Sequence, residues 1–316
     1  MGRFVADVGG TNIRLAQEVN GQLSEIKKYL CKDYATIKDA VLQYFSEYPE
    51  VNFTAGCIGI ACPTNSDSIK MTNHHWEFSV RELKQSLELD WLEVINDYTA
   101  VSMSLPVLSE QQKHQIGGGS AEQGGHIAVF GPGTGLGVGH LVNTASGWQS
   151  IPGEGGHVDF APVDDIDIAI LQFLRKRYER VSAEQLLSGN GLLQIYQALA
   201  EKAGEEATMQ APADVTENAL AGSCDVCVEA LNRFCAIMGS FAGNLALNLG
   251  TSGGVYIAGG IVSRFIPFLE NSDFRARYEA KGRFKDYVSV IPTYVITEPD
   301  HGLLGAAAYL EQHYQG

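Results

Sequence analysis

Asn96-Asp97 closes an apolar run in "LEVINDYTAVSMSLP" and is followed at once by a helix-like pattern. A carboxylate at the end of a strand, facing a cleft, can take a proton from a substrate hydroxyl. The same residue can serve simply to cap the following helix, with Thr99 as another capping candidate. Spacing alone favours neither reading. Farther on, Glu154 and His157 flank two glycines in "IPGEGGHVDF", and Glu184 opens a helix in "RVSAEQLLSGNGL", with Ser182 as its candidate cap. A carboxylate and an imidazole on a tight turn suit a polyol, whose hydroxyls both donate and accept hydrogen bonds. Taken singly, these are a surface turn and a first-turn charge complementing a helix dipole. As a set, Asn96, Asp97, Glu154, His157 and Glu184 favour a sugar pocket.

Two glycine loops supply a second kind of chemistry. In "FVADVGGTNIRLA" an apolar run reaches Asp7, crosses Gly9-Gly10-Thr11 and resumes at Ile13. The pattern returns in "HIAVFGPGTGLGVGHLV": setting Thr11 against Thr134 puts Gly10 on Gly133 and Val5-Ala6 on Ala128-Val129. Neither loop carries the Gly-Lys-Ser/Thr of the familiar phosphate loop, and each leads into a strand rather than a helix. One glycine hairpin is a tight turn. Two at matching places predict duplicated domains facing one cleft, each offering backbone amides to phosphate. A third glycine pair, Gly259-Gly260 in "GVYIAGGIVSRF", ends an apolar strand where a nucleotide's base and ribose could lie on bare backbone.

The elements that must hold these residues alternate strand and helix. Strands are predicted at Phe4–Ala6, Ile13–Gln17, Leu23–Leu30, Gly56–Ala61 and Leu92–Ile95, with helices at 36–48 and 79–87. The polar stretch "SEQQKHQIGGGSAEQGGH" reads as a loop or domain boundary. Beyond it the chain is more helical, with helices over 166–177, 192–203 and 215–220 and a long one ending near Leu249. The tail "GLLGAAAYLEQHY" is a helix that returns to the first domain.

Composition narrows the function classes. Net charge is −15 from 37 acidic and 22 basic residues, which argues against nucleic acid or an anionic membrane as the main partner. The one basic-leaning stretch, "RARYEAKGRFKD", is expected to be a solvated helix face. No apolar run reaches the ~20 residues of a membrane span. The first strand begins so early that a signal peptide or an appended DNA-binding module is not expected. The six cysteines follow no disulfide framework and suggest reduced thiols in a cytoplasmic protein. Cys224-x-x-Cys227 lies at the start of a stripe, Cys224, Val228, Leu231, Cys235, Met238, Ala242, Leu245, Leu249, which is one face of a helix rather than half a zinc site.

These segments together resemble a family. "DVGGTNIRLA", "INDYTAVSMSLP", "GPGTGLGVGHL", "PGEGGHVDFAP", "VSAEQLLSGNGL", "GGIVSRF" and "GLLGAAA" recur in the order found in bacterial glucokinases of the non-zinc branch. The cysteine cluster of the related zinc-binding branch is absent. The resemblance implies an α/β fold of two actin-like ATPase/sugar kinase (ribonuclease H-like) domains flanking a cleft. A small domain over 1–107, joined by the C-terminal helix 298–316, would face a large domain over 108–297. It implies ATP-dependent phosphorylation of glucose at the 6-hydroxyl, with Asp97 as general base and Asn96, Glu154, His157 and Glu184 on the other hydroxyls. ATP would be held by Ala6, Asp7, Val8, Gly9, Gly10 and Thr11, by Gly133, Thr134 and Gly135, and by Gly259 and Gly260. Magnesium would sit near Asp7 through water, with no structural zinc, in a homodimer. Kinases for another hexose or an amino sugar, and a non-catalytic sugar sensor, are the alternatives.

Overall fold

A computed structural model describes residues 2–72 and 74–314 of the 316-residue chain. The chain divides into two compact units, one of Met1–Ser109, Thr144–Pro152 and Glu298–Gly316, the other of Glu110–Asn143 and Gly153–Thr297.

The first unit is built on β1 (Gly2–Val8), β2 (Asn12–Val19), β3 (Gln22–Leu30), β4 (Phe53–Ile60) and β5 (Trp91–Asn96), in the order β3-β2-β1-β4-β5. β1 is antiparallel to β2 and parallel to β4, which is in turn parallel to β5. Alternation along β1 divides its side chains between two layers. Phe4, Ala6 and Val8 pack with Ile37, Val41 and Tyr44 of α1 (Ile37–Ser46), whose N-terminus is closed by a Thr36/Asp39 capping box. Val5 lies on the opposite face, against Leu303, Ala306, Ala307 and Leu310 of the C-terminal helix His301–His313. Burial on both faces explains why β1 is a continuous apolar run instead of an alternating one. β5 feeds directly into α2 (Asp97–Ser104).

The segment Thr144–Pro152, expected within the large domain, belongs to this first unit. Its strand Gly147–Ile151 packs on α2, and Gln312 of the C-terminal helix binds it twice. Gln312 Oε1 accepts from the Trp148 N–H at 3.0 Å while Gln312 Nε2 donates to the Trp148 carbonyl at 2.8 Å.

The second unit repeats the plan. Its strands are β6 (Lys113–Ile116), β7 (Ile127–Pro132), β8 (Leu136–Thr144), β9 (Val255–Ile257) and β10 (Thr293–Ile296), in the order β8-β7-β9-β10-β6. β7 and β8 form the antiparallel hairpin, and β7, β9 and β10 run parallel. The order β8-β7-β9-β10 therefore matches β2-β1-β4-β5, the duplication that the glycine hairpins foreshadow. β6 was expected to be loop. Only Ile116 of its four residues is fully buried, and its pairing with β10 is what makes it a strand.

Among the helices of this unit are α3 (Asp165–Leu174), α4 (Gly189–Ala203), α5 (Asp225–Leu249) and α6 (Phe274–Glu279). The 25-residue α5 buries Leu231, Cys235, Met238, Ala242 and Leu245 of the expected stripe. Cys224 precedes it as the N-cap, its Sγ accepting the Cys227 N–H at 3.4 Å. The basic stretch differs from expectation, because two of its arginines turn inward. Arg277 and Arg233 pair with the fully buried Asp167 at 2.7 and 3.2 Å and with Asp164 at 3.1 and 2.6 Å. Arg275 is held by Glu279 at 2.7 Å and donates to the Ser289 carbonyl. Buried charges persist only when paired and hydrogen-bonded, and here the pairs tie α3, α5 and α6 together.

Candidate active site

In the first unit β1 ends on Asp7-Val8, and the chain turns through Gly9-Gly10-Thr11 before pairing resumes with Val8 opposite Ile13. The Gly9 N–H donates to the Asn12 carbonyl at 2.9 Å, closing the turn. A hollow of about 290 Å³ opens there, lined by Asp7, Gly9, Gly10, Thr11, Asn12 and Arg14. Ala6 and Val8, expected in the nucleotide site, bury their side chains in the core. Their side chains set the loop, and only their backbone is left to meet a ligand.

Several groups around this loop had no assignment from the motifs. Asn12 and Arg14 stand two apart on β2 and share its face with the hollow, a placement the strand period in "TNIRLA" already contains. Asn12 Oδ1 is buried with no hydrogen-bond partner. Arg14 Nη1 donates to the Pro299 carbonyl at 2.9 Å and lies 3.3 Å from Asp300. Cys31 clamps the turn from behind, its N–H donating to the Thr11 carbonyl at 2.9 Å and its thiol to the Gly9 carbonyl at 3.5 Å. Burial raises the Asp7 carboxyl above the ordinary carboxylate range, and the nearby Arg14 pulls it back.

Asp97 is the first residue of α2, and Asn96 is its cap. Asn96 Oδ1 accepts the Tyr98 N–H at 2.9 Å, so the capping role expected of Thr99 falls to Asn96. Asn96 Nδ2 donates to Asp97 Oδ1 at 2.9 Å, and the Tyr98 N–H reaches the same oxygen at 3.0 Å. Both bonds end on Oδ1, leaving Oδ2 as the oxygen a substrate can use. Burial pushes the Asp97 carboxyl up to about 6, and the neighbouring Asp7 charge adds to that rise. Such a carboxyl is ionised at neutral pH yet basic enough to hold a proton, the setting a general base needs.

In the second unit the candidate residues gather around the second hairpin. Its turn is Gly133-Thr134-Gly135, with the Gly133 N–H bonded to the Gly135 carbonyl at 2.8 Å and the Gly189 N–H, at the start of α4, to the Gly133 carbonyl at 2.9 Å. Leu136, the next residue, is gripped from two sides. Its N–H donates to Glu184 Oε2 at 2.9 Å. Its carbonyl is covered by Gly156, where any Cβ would collide with it. The close approach explains Gly156, while a Cβ at Gly155 would press on the Val138 side chain at 2.9 Å. The His157 N–H closes that turn on the Glu154 carbonyl at 3.0 Å, and both side chains are exposed. Glu184 follows Ser182, whose N–H is taken by Gln185 Oε1 at 2.7 Å. The Ala183 N–H donates to the Val158 carbonyl at 2.9 Å, which seats the Glu184 turn beside the His157 turn. Gly259-Gly260 follow β9, with the Ala258 N–H bonded to the Phe130 carbonyl of β7. A larger cavity of about 460 Å³, mainly apolar and lined by Phe160, Phe241 and Leu245, holds none of the candidate side chains.

Thus the structure groups Asp7, Gly9, Gly10, Thr11, Asn96 and Asp97 in one unit and Gly133, Thr134, Gly135, Glu154, His157, Glu184, Gly259 and Gly260 in the other. Among the described residues, no three His, Cys, Asp or Glu side chains converge as a metal cage. No helix among them is long and apolar enough to cross a membrane.

A sheet plan used twice, with a glycine loop at the tip of each hairpin, is that of the actin-like ATPase and sugar kinase fold. The glucokinase family model matches residues 4–313, and the chain belongs to that family. A glucokinase from Colwellia psychrerythraea (strain 34H / ATCC BAA-681) is 53% identical over 316 residues, covering 98% of this chain and 96% of that protein. The crystal structure of a glucokinase from an Antarctic psychrotroph matches with a TM-score of 0.93 at 36% identity over 98% of each chain. A ROK family glucokinase from Streptomyces griseus, solved with glucose and AMPPNP, shares the fold at a TM-score of 0.64 and 18% identity, over 99% of this chain and 100% of that one.

Proposed function

We infer that the protein transfers the γ-phosphoryl group of ATP to the 6-hydroxyl of D-glucose, giving glucose 6-phosphate and ADP. The observation that carries the chemistry is Asp97, a half-buried carboxyl fixed through one oxygen at the start of α2, which burial raises to about 6. In the proposed step Asp97 takes the 6-hydroxyl proton as that oxygen forms its bond to the γ-phosphorus and the bond to the β-γ bridging oxygen breaks. Asn96 positions Asp97 and the adjacent hydroxyl. Glu154, His157 and Glu184 are assigned to the remaining hydroxyls, the two carboxylates accepting and the imidazole able to do either. The amides and hydroxyls of Gly9-Gly10-Thr11 and Gly133-Thr134-Gly135 are assigned to the phosphates, and Gly259-Gly260 to the adenosine.

Magnesium belongs to the same proposal. The residues around the first hollow fit it: a carboxylate, Asp7, beside the unpartnered Asn12 Oδ1. Mg²⁺ is typically held by one or two carboxylates, water and substrate phosphates rather than by an all-protein cage. When bound, the ion neutralises charge on the phosphate oxygens. Asp7 would hold it through water.

A coupled assay over a panel of hexoses tests the reading. Glucose should give the highest kcat/KM, with one glucose 6-phosphate formed per ADP. A preference for a 2-substituted amino sugar would replace glucose as the substrate, and ADP-independent sugar binding without turnover would favour a sensor. A homodimer and a cytoplasmic location complete the proposal, the first measurable by light scattering of the purified protein.

A further inference from the structure

We propose that Glu184 is a positioning residue for the second glycine loop as well as a sugar ligand, so that sugar and nucleotide binding are coupled through one carboxylate. The sugar half rests on the assignment under Proposed function; the loop half rests on geometry alone. Glu184 Oε2 accepts the N–H of Leu136, the first residue after Gly133-Thr134-Gly135, at 2.9 Å. The fit on the other side is equally close. A Cβ at Gly135 would lie 2.6 Å from that same Oε2, so loop and carboxylate are packed with no room between them. The Leu136 carbonyl, in the next peptide unit, is confined as well, because the Gly156 backbone, in the turn carrying Glu154 and His157, sits on it. The exit of the loop is therefore wedged between the two segments that carry the residues assigned to the sugar.

The consequence is thermodynamic. A sugar hydroxyl bound to the Glu184 carboxylate restricts where Oε2 can lie, and Oε2 determines where the Leu136 N–H and the end of the loop lie. Each ligand then finds its site already ordered by the other, which gives positive coupling. Reciprocity requires the effect to be the same in both directions. A loop substitution that displaces Glu184 should likewise weaken sugar binding although it touches no sugar.

Two binding constants, each measured with the other ligand absent, test this on the full-length protein by titration calorimetry. The probes are glucose alone and AMPPNP with magnesium alone. Glu184→Ala should weaken sugar-free AMPPNP binding roughly tenfold or more, the low end of the scale for one lost hydrogen bond between a charged group and a loop amide. Glu184→Gln keeps an acceptor for the Leu136 N–H and should restore most of that loss, which general destabilisation would not allow. Gly135→Ala should displace the Glu184 side chain and weaken nucleotide-free glucose binding by a similar factor. In the parent, glucose should tighten AMPPNP binding, and in Glu184→Ala it should not. Unchanged sugar-free AMPPNP affinity in Glu184→Ala, or unchanged glucose affinity in Gly135→Ala, would overturn the coupling. If instead Glu184→Ala weakens AMPPNP but leaves nucleotide-free glucose binding intact, the loop role stands, and the sugar assignment of Glu184 is the part that fails.

Discussion

Asp97→Asn should make the protein inactive and more stable at the same time. The carboxyl is raised from an ordinary 3.8 to about 6, first by burial and then by the Asp7 charge. A folded-state value above the unfolded one means that ionising the group costs stability. The cost is absent below about pH 4, grows as pH rises between the two values, and is fully present above about 6. A gap of about 2 pK units corresponds to on the order of 3 kcal/mol. Asparagine removes the charge but keeps Oδ1, which can still accept from Asn96 Nδ2 and the Tyr98 N–H. The variant should therefore melt a few degrees higher than the parent at pH 7–8 and at the same temperature near pH 4. Turnover should drop by about 10²–10⁴ because no proton acceptor remains, with glucose affinity changed far less. Differential scanning calorimetry at the two pH values and a coupled assay give both readouts. A variant that is less stable than the parent at pH 8, or one with near-normal turnover, would refute the assignment of a base whose carboxyl is raised by burial.

The parent's kcat/KM should fall about tenfold per pH unit below about pH 6, where Asp97 becomes protonated, whereas an unperturbed carboxylate would hold the rate to about pH 4. Full activity at pH 5 in a pH–rate profile would contradict the raised value. Gly305→Ala should cost at least about 2–3 kcal/mol and lower turnover with it, because its Cβ would meet the Ala100 carbonyl in the middle of α2, backbone that cannot move aside; a urea melt unchanged from the parent would mean that the C-terminal helix does not seat α2. Metal analysis of the purified protein should find no stoichiometric zinc, and a zinc chelator should leave the melting temperature unchanged, since Cys224 serves as a helix cap; one tightly bound equivalent would overturn this.

The sequence by itself determined the local pieces. Apolar runs ending in glycine loops identified β1, β2, β7 and β8, because a strand buried on both faces needs continuous apolar residues and a tight turn needs glycine. The match between "VGGTN" and "GPGTG" made the duplication legible before any strand order was known. Side chains with few alternative uses, Asp97 at a strand end and Glu154 and His157 around two glycines, were visible as candidates for the same reason.

Tertiary structure decided what those residues touch. Asn96 and Thr99 are both good caps in isolation, and only the backbone path into α2 selects Asn96. Arg275 and Arg277 look like a solvated face because one-dimensional spacing says nothing about Asp164 and Asp167, more than a hundred residues away, which draw Arg277 inward. β6 exists because β10 lies beside it, and residues Thr144–Pro152 join the first unit because Gln312 binds Trp148 on both sides. Glu184 is the sharpest case. Its position in a first helical turn is readable from Ser182 onward, but its bond to Leu136 spans 48 residues. A carboxylate is bound by whichever N–H the fold brings to it, and the sequence holds no record of that distance.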